Sequence, residues 1–443
     1  METINERFHR LHPRSMELFQ DARALFPHGV THDGRRLDPF SLYVTHAAGG
    51  RKWDVDGNEY VDFRMGHGAL ILGHSHPEIV RDVQEAMARG THLGLSHELE
   101  IRWAERVKSL VLSIEKMRFT ASGTEATMMA VRLARASTEK DKILKFNEHF
   151  HGWNDHGIIG SGRSAGGVPT PVKDTVVVLP QNDIDLVERT LRADPDFAAV
   201  ILEPTGAHGG MYPAYPDFVR QLQEVTRRHD VLLILDEVVT GFRISAGGAQ
   251  ARYGIQPDLT CLAKILGGGL PCGAVGGRAE LVDLIAFRGD SRWDTTKRVA
   301  HHGTFNANPL AAAAGLRALD LVATTPVNAT ADRRAQRLKD GINHAFEQMK
   351  VPGCAHGVAS IVNFQIGNDC DCDRVICTQP MDKLKEGTRA QVLQPLYRAS
   401  LNAGLDWMGG TFFVSAVHTE GDIDASVSAF EEALSACRDE DVL

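Results

Sequence analysis

The sequence predicts an α/β protein with a large domain, built on a mostly parallel sheet covered by helices, and a smaller α+β domain. Short, continuously apolar segments alternate with helical segments from residue 116 to about 280, which is typical of parallel strands buried on both faces. A long helical segment at 308–325 then leads into a last region of mixed pattern. We therefore expect an N-terminal segment (1–60) that contributes to the small domain, a large domain (61–324), and the rest of the small domain (325–443).

Local patterns predict the elements that precede the large sheet. Residues 15–26 have the apolar spacing of a helix, and the stretch 27–39, with its Pro and Gly residues, ends it. The stretch KWDVDGNEYVDF at 52–63 alternates apolar and polar residues around a turn, which predicts a hairpin. Residues 76–90 are predicted to form a helix closed by Gly90.

The strands of the large sheet are predicted from their apolar runs. Helical patterns separate several of them, for example at 218–230. The predicted strands are 116–120, 142–146, 175–179, 198–203, 230–237, 258–264 and 272–277.

Composition excludes some classes of function. The chain has 443 residues and a formal net charge of −9, with acidic and basic residues interspersed, whereas a nucleic-acid partner requires a concentrated basic surface. No apolar run approaches the roughly 18–20 residues that cross a bilayer, and the N-terminus lacks the apolar core of a secretory signal. We expect a cytoplasmic protein with neither a nucleic-acid nor a membrane partner.

The seven cysteines are scattered along the chain, which indicates a reducing compartment. Three of them, Cys370, Cys372 and Cys377, lie within NDCDCDRVIC. Their spacing is not a paired C-x-x-C and no histidine follows closely, so a surface loop is favoured over a metal site. We predict no metal site.

The stretch FTASGTEATM at 119–128 places small residues between a strand and a helix predicted from Thr124 to Ser137. At a helix N-terminus, free N–H groups and the positive end of the helix dipole suit an anion, often a phosphate. An ordinary cap by Ser122 or Thr124, with Glu125 in the first turn, is the simpler interpretation of this stretch alone.

Two charged residues end apolar strands elsewhere in the sheet. Asp236 follows five consecutive apolar residues, and Lys264 ends LTCLAK before the glycine-rich ILGGGLPCGAVGG. Ligands of open parallel sheets bind beyond the carboxyl ends of the strands. The alternatives are a structural salt bridge or a cap for Asp236 and a surface-exposed amine for Lys264.

Together, the three strand ends suit one ligand with a phosphate, a basic nitrogen and a carbonyl. Pyridoxal 5′-phosphate carries all three groups. Residues 119–128 would bind its phosphate, Lys264 would form a Schiff base with its carbonyl, and Asp236 would keep the pyridine nitrogen protonated so that the ring can stabilise a carbanion.

Six segments of the chain resemble, in order, the sequence blocks of the class III aminotransferases, which depend on pyridoxal phosphate. The segments are FTASGTEATMMAVRLARA, KFNEHFHGWND, ILEPTGAHGG, LLILDEVVTGFR, PDLTCLAKILGGGLPCGAVGG and HHGTFNANPLAAAAG. They run through most of residues 50–320, and weaker matches extend to nearly the whole chain. The resemblance implies the fold type I of pyridoxal phosphate-dependent transferases, and a homodimer whose active sites lie at the subunit interface.

The resemblance also implies a role for individual residues. Lys264 would carry the cofactor, and Asp236 would bind its pyridine nitrogen. Val238 would pack on one face of the ring and Phe150 on the other, where many members have Tyr. Thr304 would reach the phosphate from the neighbouring subunit. The other cofactor contacts that it implies are Ser122, Gly123, Thr124, His151, Glu203 and His208.

Two of the matched positions have a structural alternative. For Glu203, and for Arg243 in the motif LLILDEVVTGFR, a supporting salt bridge within the fold is as good an interpretation as direct contact with the cofactor.

Within the family, the chain is similar to the branch that contains glutamate-1-semialdehyde 2,1-aminomutase and D-phenylglycine aminotransferase. Where the aminomutase has Asn-Ser-Pro-Val-Arg, this chain has residues 31–35, Thr-His-Asp-Gly-Arg. His208 replaces an Asn, Gly410 replaces a Glu, and the segment after Gly152 looks shorter than the aminomutase's gating loop. Arg35 is retained and would bind the substrate carboxylate, beside His32, although a solvated loop is the alternative.

These departures favour an aminotransferase over a mutase. It would move an amino group from an amino acid to a 2-oxo acid through a ping-pong mechanism, with aromatic, D- and β-amino acids as candidate donors. The alternatives are glutamate-1-semialdehyde 2,1-aminomutase and, from another class, a catalytically silent binding module with this fold. Intact Lys264 and Asp236 argue against the silent module.

Overall fold

The computed structural model describes residues 2–368 and 370–443, which divide into two compact units. Unit 1 consists of the residues up to His67, of Ile71–His76 and of the residues from Ala329 on. Unit 2 consists of Gly68–Leu70 and Pro77–Asn328. The sequence analysis placed the corresponding boundaries at residues 60 and 324.

The strands and the longer helices are as follows. In chain order, the strands are β1 (Val44–Ala48), β2 (Arg51–Asp54), β3 (Glu59–Asp62), β4 (Lys116–Thr120), β5 (Lys142–Phe146), β6 (Val176–Leu179), β7 (Phe197–Leu202), β8 (Tyr212–Pro213), β9 (Leu232–Asp236), β10 (Leu259–Ala263), β11 (Gly273–Gly277), β12 (Gly353–His356), β13 (Ile361–Ile366), β14 (Leu405–Asp406) and β15 (Thr411–Phe413). The longer helices are Ile4–Leu11, Pro13–Arg23, Pro77–Arg89, Glu98–Leu110, Gly123–Thr138, Ile184–Ala193, Pro216–Arg228, Gly248–Tyr253, Pro309–Thr324, Val327–Met349, Met381–Gly387, Ala390–Asn402 and Glu420–Asp439.

Unit 2 contains a seven-stranded sheet in the order β4-β11-β10-β9-β7-β5-β6. The strands from β10 to β6 are parallel to their neighbours, which confirms the mostly parallel sheet. Only β11 is antiparallel to both of its neighbours, β10 and β4. Its connection to β10, residues 264–272, is shorter than the dozen or so residues that a parallel crossover needs.

The strand order brings the predicted ligand-binding ends together. Because β10, β9 and β7 are adjacent and parallel, Lys264, Asp236 and Glu203 lie at one edge of the sheet, where each strand has just ended. Neighbouring strands of a sheet are about 4.8 Å apart. This edge is therefore the natural place for a site in unit 2.

The turn after Lys264 is anchored by a helix of the same unit. The Trp103 indole N–H, on the helix Glu98–Leu110, donates to the Leu266 carbonyl at 3.1 Å. Gly315 lies against both groups: a Cβ there would be 2.3 Å from the Leu266 oxygen and 2.6 Å from Trp103 Nε1. The close approach of the helix Pro309–Thr324 thus requires glycine, and it fixes the backbone that begins at Lys264.

Unit 1 combines helices with two small sheets, as an α+β domain should. One sheet has the order β1-β2-β3-β14 and the other β12-β13-β15. The antiparallel pairing of β2 with β3, in which Arg51 faces Val61, confirms the predicted hairpin at 52–63. The hydrophobic core of unit 1 is rich in aromatic rings, among them Phe364, Trp407 and Phe412.

Among the described residues, no single helix has the length and apolar composition needed to cross a membrane. The two consecutive helices Pro309–Thr324 and Val327–Met349 meet that criterion only when taken together.

Candidate active site

Asp236 is the buried carboxylate at the centre of the strand-end cluster. His151 Nδ1–H donates to its Oδ2 at 2.7 Å, and the Val238 N–H donates to its Oδ1 at 3.0 Å. Burial lowers the pKa of His151, although the hydrogen bond to Asp236 opposes that shift. Burial thus disfavours the charged imidazolium, and the hydrogen bond from His151 orients the Asp236 carboxylate.

The other ring nitrogen of His151 is the unusual feature of this pair. With the proton on Nδ1, Nε2 is an acceptor, and it is buried without a hydrogen-bond partner among the described residues. The backbone is fixed as well, since Thr127 Oγ1 donates to the His151 carbonyl at 2.6 Å. A buried acceptor without a partner is costly, so the position suits a bound molecule that brings a donor.

Lys264 follows β10 directly and has a left-handed backbone, with φ of 53°. Such a conformation is uncommon for a residue other than glycine and is concentrated at functional sites. The side chain is half-buried, and no described residue accepts a hydrogen bond from its Nζ. Burial lowers the pKa of Lys264, while the carboxylates of Asp236 and Glu203 oppose the shift. A larger share of the amine is thus neutral and able to act as a nucleophile.

The stretch 119–128 forms a helix cap and also leaves backbone N–H groups unpaired, so the two interpretations made from sequence are compatible. Ser122 caps the helix Gly123–Thr138, because its Oγ accepts the Glu125 N–H at 3.2 Å. Glu125 Oε2 in turn accepts the Ala121 N–H at 2.7 Å. The N–H groups of Gly123 and Thr124 donate to no other described residue. They remain free to bind an anion.

Two glycines show how closely the helix N-terminus approaches the strand ends. A Cβ on Gly123 would lie 3.0 Å from both methyl groups of Val238 and 3.3 Å from the Ala263 Cβ. Gly152, with φ of 90°, would place a Cβ 2.7 Å from Thr124 Oγ1. The turn at Gly123 and Thr124 therefore lies against residues that neighbour Asp236, Lys264 and His151.

Glu203 is held by backbone donors. The Phe150 N–H donates to its Oε1 at 3.0 Å. Burial, followed by the nearby charge of Asp236, raises the pKa of Glu203 to about 7, although the N–H groups of Phe150 and Gly209 and the charge of Lys264 oppose this. A group with this pKa can gain or lose a proton near neutral pH.

Sequence reasoning missed a buried histidine that supports Glu203. His149 Nδ1 accepts the Glu203 N–H at 3.0 Å, and its Nε2–H donates to Gln181 Oε1 at 2.8 Å. Gln181 Nε2 continues the network to the carbonyls of Tyr212 and Pro213. The only sequence signal is the repeat His-Phe-His at 149–151.

A second buried lysine was also missed. Lys145 lies inside β5, and its Nζ donates to the Gly157 carbonyl at 2.7 Å. Burial lowers the pKa of Lys145 to about 7, although the charges of Glu203 and Asp236 oppose the shift. Its sequence signal is the presence of a charged residue, Lys145, inside the otherwise apolar strand sequence KILKF.

The predicted ring-stacking residues lie at the same edge of the sheet. Phe150 and Val238 are both half-buried. The guanidinium of Arg163, another residue without a sequence signal, lies 4.3 Å from the centre of the Phe150 ring. A cation over an aromatic face is attracted to it, and the contact restrains the Phe150 ring.

Three further predicted residues of unit 2 lie in turns or in the interior. His208 has φ of 55°, and its ring is 5.8 Å from that of Tyr212. Thr304 is exposed, and its carbonyl accepts His92 Nε2–H at 2.5 Å. Arg243 is fully buried and donates to the Gly68 carbonyl at 3.0 Å.

The predicted substrate residues belong to unit 1. Arg35 is exposed, and its Nη1 donates to Thr31 Oγ1 at 2.8 Å. His32 Nδ1 accepts the Gly34 N–H at 2.9 Å. Gly410 has φ of 84°, a conformation that disfavours the Glu of the aminomutase pattern. The role of Arg35 and His32 in substrate binding stays a prediction.

The residues present in unit 2 fit pyridoxal 5′-phosphate. An amine with a lowered pKa, an oriented carboxylate and two unpaired amide N–H groups match its carbonyl, pyridine nitrogen and phosphate. The buried Nε2 of His151 offers an acceptor in the same place. These residues are Lys264, Asp236, Gly123, Thr124 and His151, all of which were selected from the sequence.

Comparisons with known proteins agree with this fit. The family model "Aminotransferase class-III" matches residues 33–383. The curated glutamate-1-semialdehyde 2,1-aminomutase of Methanopyrus kandleri is 38% identical over 95% of this chain and 97% of its own. A solved omega-transaminase from Sphaerobacter thermophilus is 33% identical, with a TM-score of 0.86 over 96% of this chain and 98% of its own. A β-phenylalanine aminotransferase from Variovorax paradoxus is 30% identical, with a TM-score of 0.83 over 98% and 97%.

Proposed function

The chain belongs to the class III aminotransferases, and from this premise we propose that it transfers an amino group from an amino acid to a 2-oxo acid. Its cofactor is pyridoxal 5′-phosphate, and its fold is that of the type I enzymes. The observation that carries the proposal is the free, half-buried amine of Lys264 beside the oriented carboxylate of Asp236.

Lys264 and Asp236 would have different roles toward the cofactor. When bound, pyridoxal phosphate supplies a carbonyl that accepts the amino group and a ring that stabilises negative charge on the substrate Cα. Lys264 would hold the cofactor through Nζ and, once released, would carry a proton from Cα. Asp236 would keep a proton on the pyridine nitrogen, with its oxygens oriented by His151 and Val238.

Phosphate binding would fall to the N-terminus of the helix Gly123–Thr138. The free N–H groups of Gly123 and Thr124 and the positive end of the helix dipole favour a dianion there. Ser122 is engaged in the cap through its Oγ, so its contribution would come from the hydroxyl proton. Burial of the site around Phe150 and Glu203 would exclude water from the reacting atoms.

Two kinds of observation favour transfer to a separate acceptor. The solved transaminases of Sphaerobacter thermophilus and Variovorax paradoxus are 33% and 30% identical to this chain over nearly its whole length. In addition, His32, His208 and Gly410 stand where the aminomutase pattern has other residues. Gly410 has a positive φ, which disfavours any residue with a side chain at this position. The Variovorax paradoxus structure is named a β-phenylalanine aminotransferase, so aromatic β-amino acids are the first donors to test.

A mutase is the second candidate, and the curated relatives favour it. The Methanopyrus kandleri relative, at 38% identity, and further relatives at 35–39% are all named glutamate-1-semialdehyde 2,1-aminomutase. That reaction moves an amino group within one substrate, so no acceptor is consumed. The two candidates share the cofactor and Lys264, and they differ only in whether a second substrate is required.

We expect a donor amino acid alone to react once per active site and then to stop. Adding 2-oxoglutarate or pyruvate should restart turnover, because the 2-oxo acid then accepts the amino group. The measurement is the cofactor's visible absorbance in a stopped-flow instrument, followed by product analysis. Rapid conversion of glutamate-1-semialdehyde to 5-aminolevulinate without any acceptor would instead establish the mutase.

We expect Arg35→Ala to raise KM for the donor about 10- to 100-fold with a smaller change in kcat. A hydrogen bond to a charged group is worth about 1.5–3 kcal/mol, and Arg35 has no carboxylate partner among the described residues. The matched control is Arg36→Ala, because Arg36 is exposed and already paired with Asp38 at 2.9 Å. Equal effects of both substitutions would contradict a specific role for Arg35.

We expect the enzyme to be a homodimer in which Thr304 contributes to the partner's phosphate site. Thr304 lies in an exposed turn that contacts His92, both through the Thr304 carbonyl and through the Phe305 ring. The residues after His92 include two exposed apolar side chains, Leu93 and Leu95, which a partner subunit could cover. Thr304→Ala should keep the dimer but weaken cofactor binding about tenfold, measured by equilibrium dialysis and light scattering. Thr296→Ala, an exposed threonine outside this turn, is the control. A fully active monomer would contradict the proposal.

A further inference from the structure

Four cysteines of unit 1 meet at one point, outside the residues described above. Their Sγ atoms all lie within 4.8 Å of one another. Two of the four are buried: Cys354 lies on β12, and Cys377 lies in a loop. The other two, Cys370 and Cys372, are partly exposed in the same loop. The described residues 370–380 of this loop lead into the helix Met381–Gly387.

We propose that Cys354, Cys370, Cys372 and Cys377 bind one Zn²⁺ ion through four thiolates. The sequence favoured a surface loop because the three clustered cysteines do not form a C-x-x-C pair. The fourth ligand could not be recognised from spacing, since Cys354 precedes Cys370 by a whole strand, β13. The antiparallel pairing of β12 with β13 returns Cys354 to the loop.

The distances suit a single ion. Zinc–sulfur bonds are about 2.3 Å in tetrahedral sites, so the sulfurs of such a site are about 3.8 Å apart, the edge of that tetrahedron. Cys354 Sγ and Cys372 Sγ are 3.7 Å apart, which matches that edge. Cys370 Sγ and Cys377 Sγ are 3.0 Å apart, so these two sulfurs would have to separate toward about 3.8 Å on binding. A cluster with several iron atoms would hold its thiolates farther apart. Four soft thiolates in this arrangement select zinc among the common ions.

The surroundings suit the charge that such a site carries. Binding replaces four S–H protons by one Zn²⁺ and releases those four protons, which leaves a net charge of −2 on the metal and its sulfurs. Gln365 Nε2–H donates to Cys377 Sγ at 3.8 Å. Lys339 is buried near enough for its charge to interact with Cys372. A hydrogen-bond donor and a cation next to the sulfurs would both stabilise this negative charge.

Zinc would give this loop the core that its sequence lacks. The described residues 370–380 contain no helix or strand. Within these described residues, Asp373 Oδ1 accepts the N–H groups of Val375 and Ile376, and Arg374 pairs with Glu347 at the surface. Four protein ligands leave no open position, so the ion would stabilise structure rather than take part in catalysis.

The test is the metal content of the full-length holoenzyme purified without chelators from zinc-supplemented medium. We expect one zinc per chain by mass spectrometry of the metal, and a zinc-edge absorption spectrum with four sulfurs at about 2.3 Å and no nitrogen. Cys354→Ser and Cys372→Ser should each reduce zinc to less than about a tenth of the wild-type value. Cys437→Ala, a buried cysteine of the same unit that lies outside the cluster, should retain it.

Several results would overturn the assignment. They are a metal-free wild-type chain, disulfides among these four cysteines in non-reducing peptide mapping, iron with inorganic sulfide, or zinc whose ligands are not sulfur. The spectrum is recorded on the wild-type protein, so the test stands even where a serine variant fails to fold. A supporting readout is cleavage of the loop 370–380 by a protease, which should speed up at least tenfold after removal of zinc with a mercurial reagent and a chelator.

Discussion

Lys264→Ala should fold, bind pyridoxal phosphate without a covalent bond, and lose turnover by at least about 10²–10⁴-fold. That range is the usual contribution of one positioned proton carrier, and the loss of covalent attachment adds to it. The amine is free of hydrogen-bond partners among the described residues, and burial lowers its pKa. Both features make the neutral amine available near pH 7, whereas an exposed lysine would be almost fully protonated.

The measurement separates attachment from proton transfer. Borohydride reduction of the wild-type holoenzyme, followed by peptide mapping, should find the cofactor on Lys264. Single-turnover kinetics with a donor amino acid should show the rate loss in Lys264→Ala, and added methylamine should restore part of that rate. A small external amine can restore proton transfer only when the missing group was itself an amine at the reacting centre.

Lys145 provides the matched control. It is a second buried lysine with a lowered pKa near Asp236 and Glu203, so burial and charge alone do not distinguish it from Lys264. Its amine, however, is engaged with the Gly157 carbonyl. Lys145→Met should leave the label on Lys264. A label on Lys145 in the wild-type enzyme would show that the wrong lysine was chosen.

The sequence predicted the large sheet well because its signals are local. Apolar strands such as β7 and β9 are buried along almost their whole length. The charged residue at the end of each run, Glu203 directly after β7 and Asp236 as the last residue of β9, is visible as a break in the apolar sequence. The family resemblance then supplied what spacing could not, such as Phe150 and His151. The sequence around Ser122 could not distinguish a helix cap from an anion site. In the structure the Ser122 hydroxyl caps the helix, while the N–H groups of Gly123 and Thr124 have no partner among the described residues.

The features that the sequence did not predict depend on contacts between distant segments. The antiparallel direction of β11 follows from a short connection, but only a correct strand order reveals it. His149 supports Glu203 across 54 residues of chain. Cys354 joins the three clustered cysteines because β12 pairs with β13. In each case the residue type is visible in the sequence, and its partner is determined by the fold.

Asp236→Asn should reduce the rate of Cα deprotonation about 10- to 10³-fold with cofactor still bound. An opposite charge in contact raises the pKa of a basic group by about 1–3 units, and each unit is worth about 1.4 kcal/mol. An amide at position 236 keeps the shape but removes the charge that would hold the proton on the pyridine nitrogen. The measurement is the single-turnover rate with a donor deuterated at Cα, whose isotope effect reports the proton-transfer step.

Glu237→Gln is the control that makes this result specific to Asp236. The two carboxylates are neighbours in the chain and both are buried, but Glu237 faces the interior, where Thr240 Oγ1–H and the N–H groups of Ala249 and Gln250 donate to its oxygens at 2.5–2.9 Å. Replacing one of its oxygens by an amide nitrogen leaves a donor without an acceptor, which costs about 1–3 kcal/mol of stability. We therefore expect Glu237→Gln to lower the Tm while the deprotonation rate per folded molecule stays within about twofold. Asp236→Asn also places an amide nitrogen opposite a buried donor, either His151 Nδ1–H or the Val238 N–H, so its Tm can fall as well. What distinguishes it is the large loss of deprotonation rate per folded molecule. A deprotonation rate near that of the wild type in Asp236→Asn would show that this carboxylate holds the fold together and does not act on the cofactor.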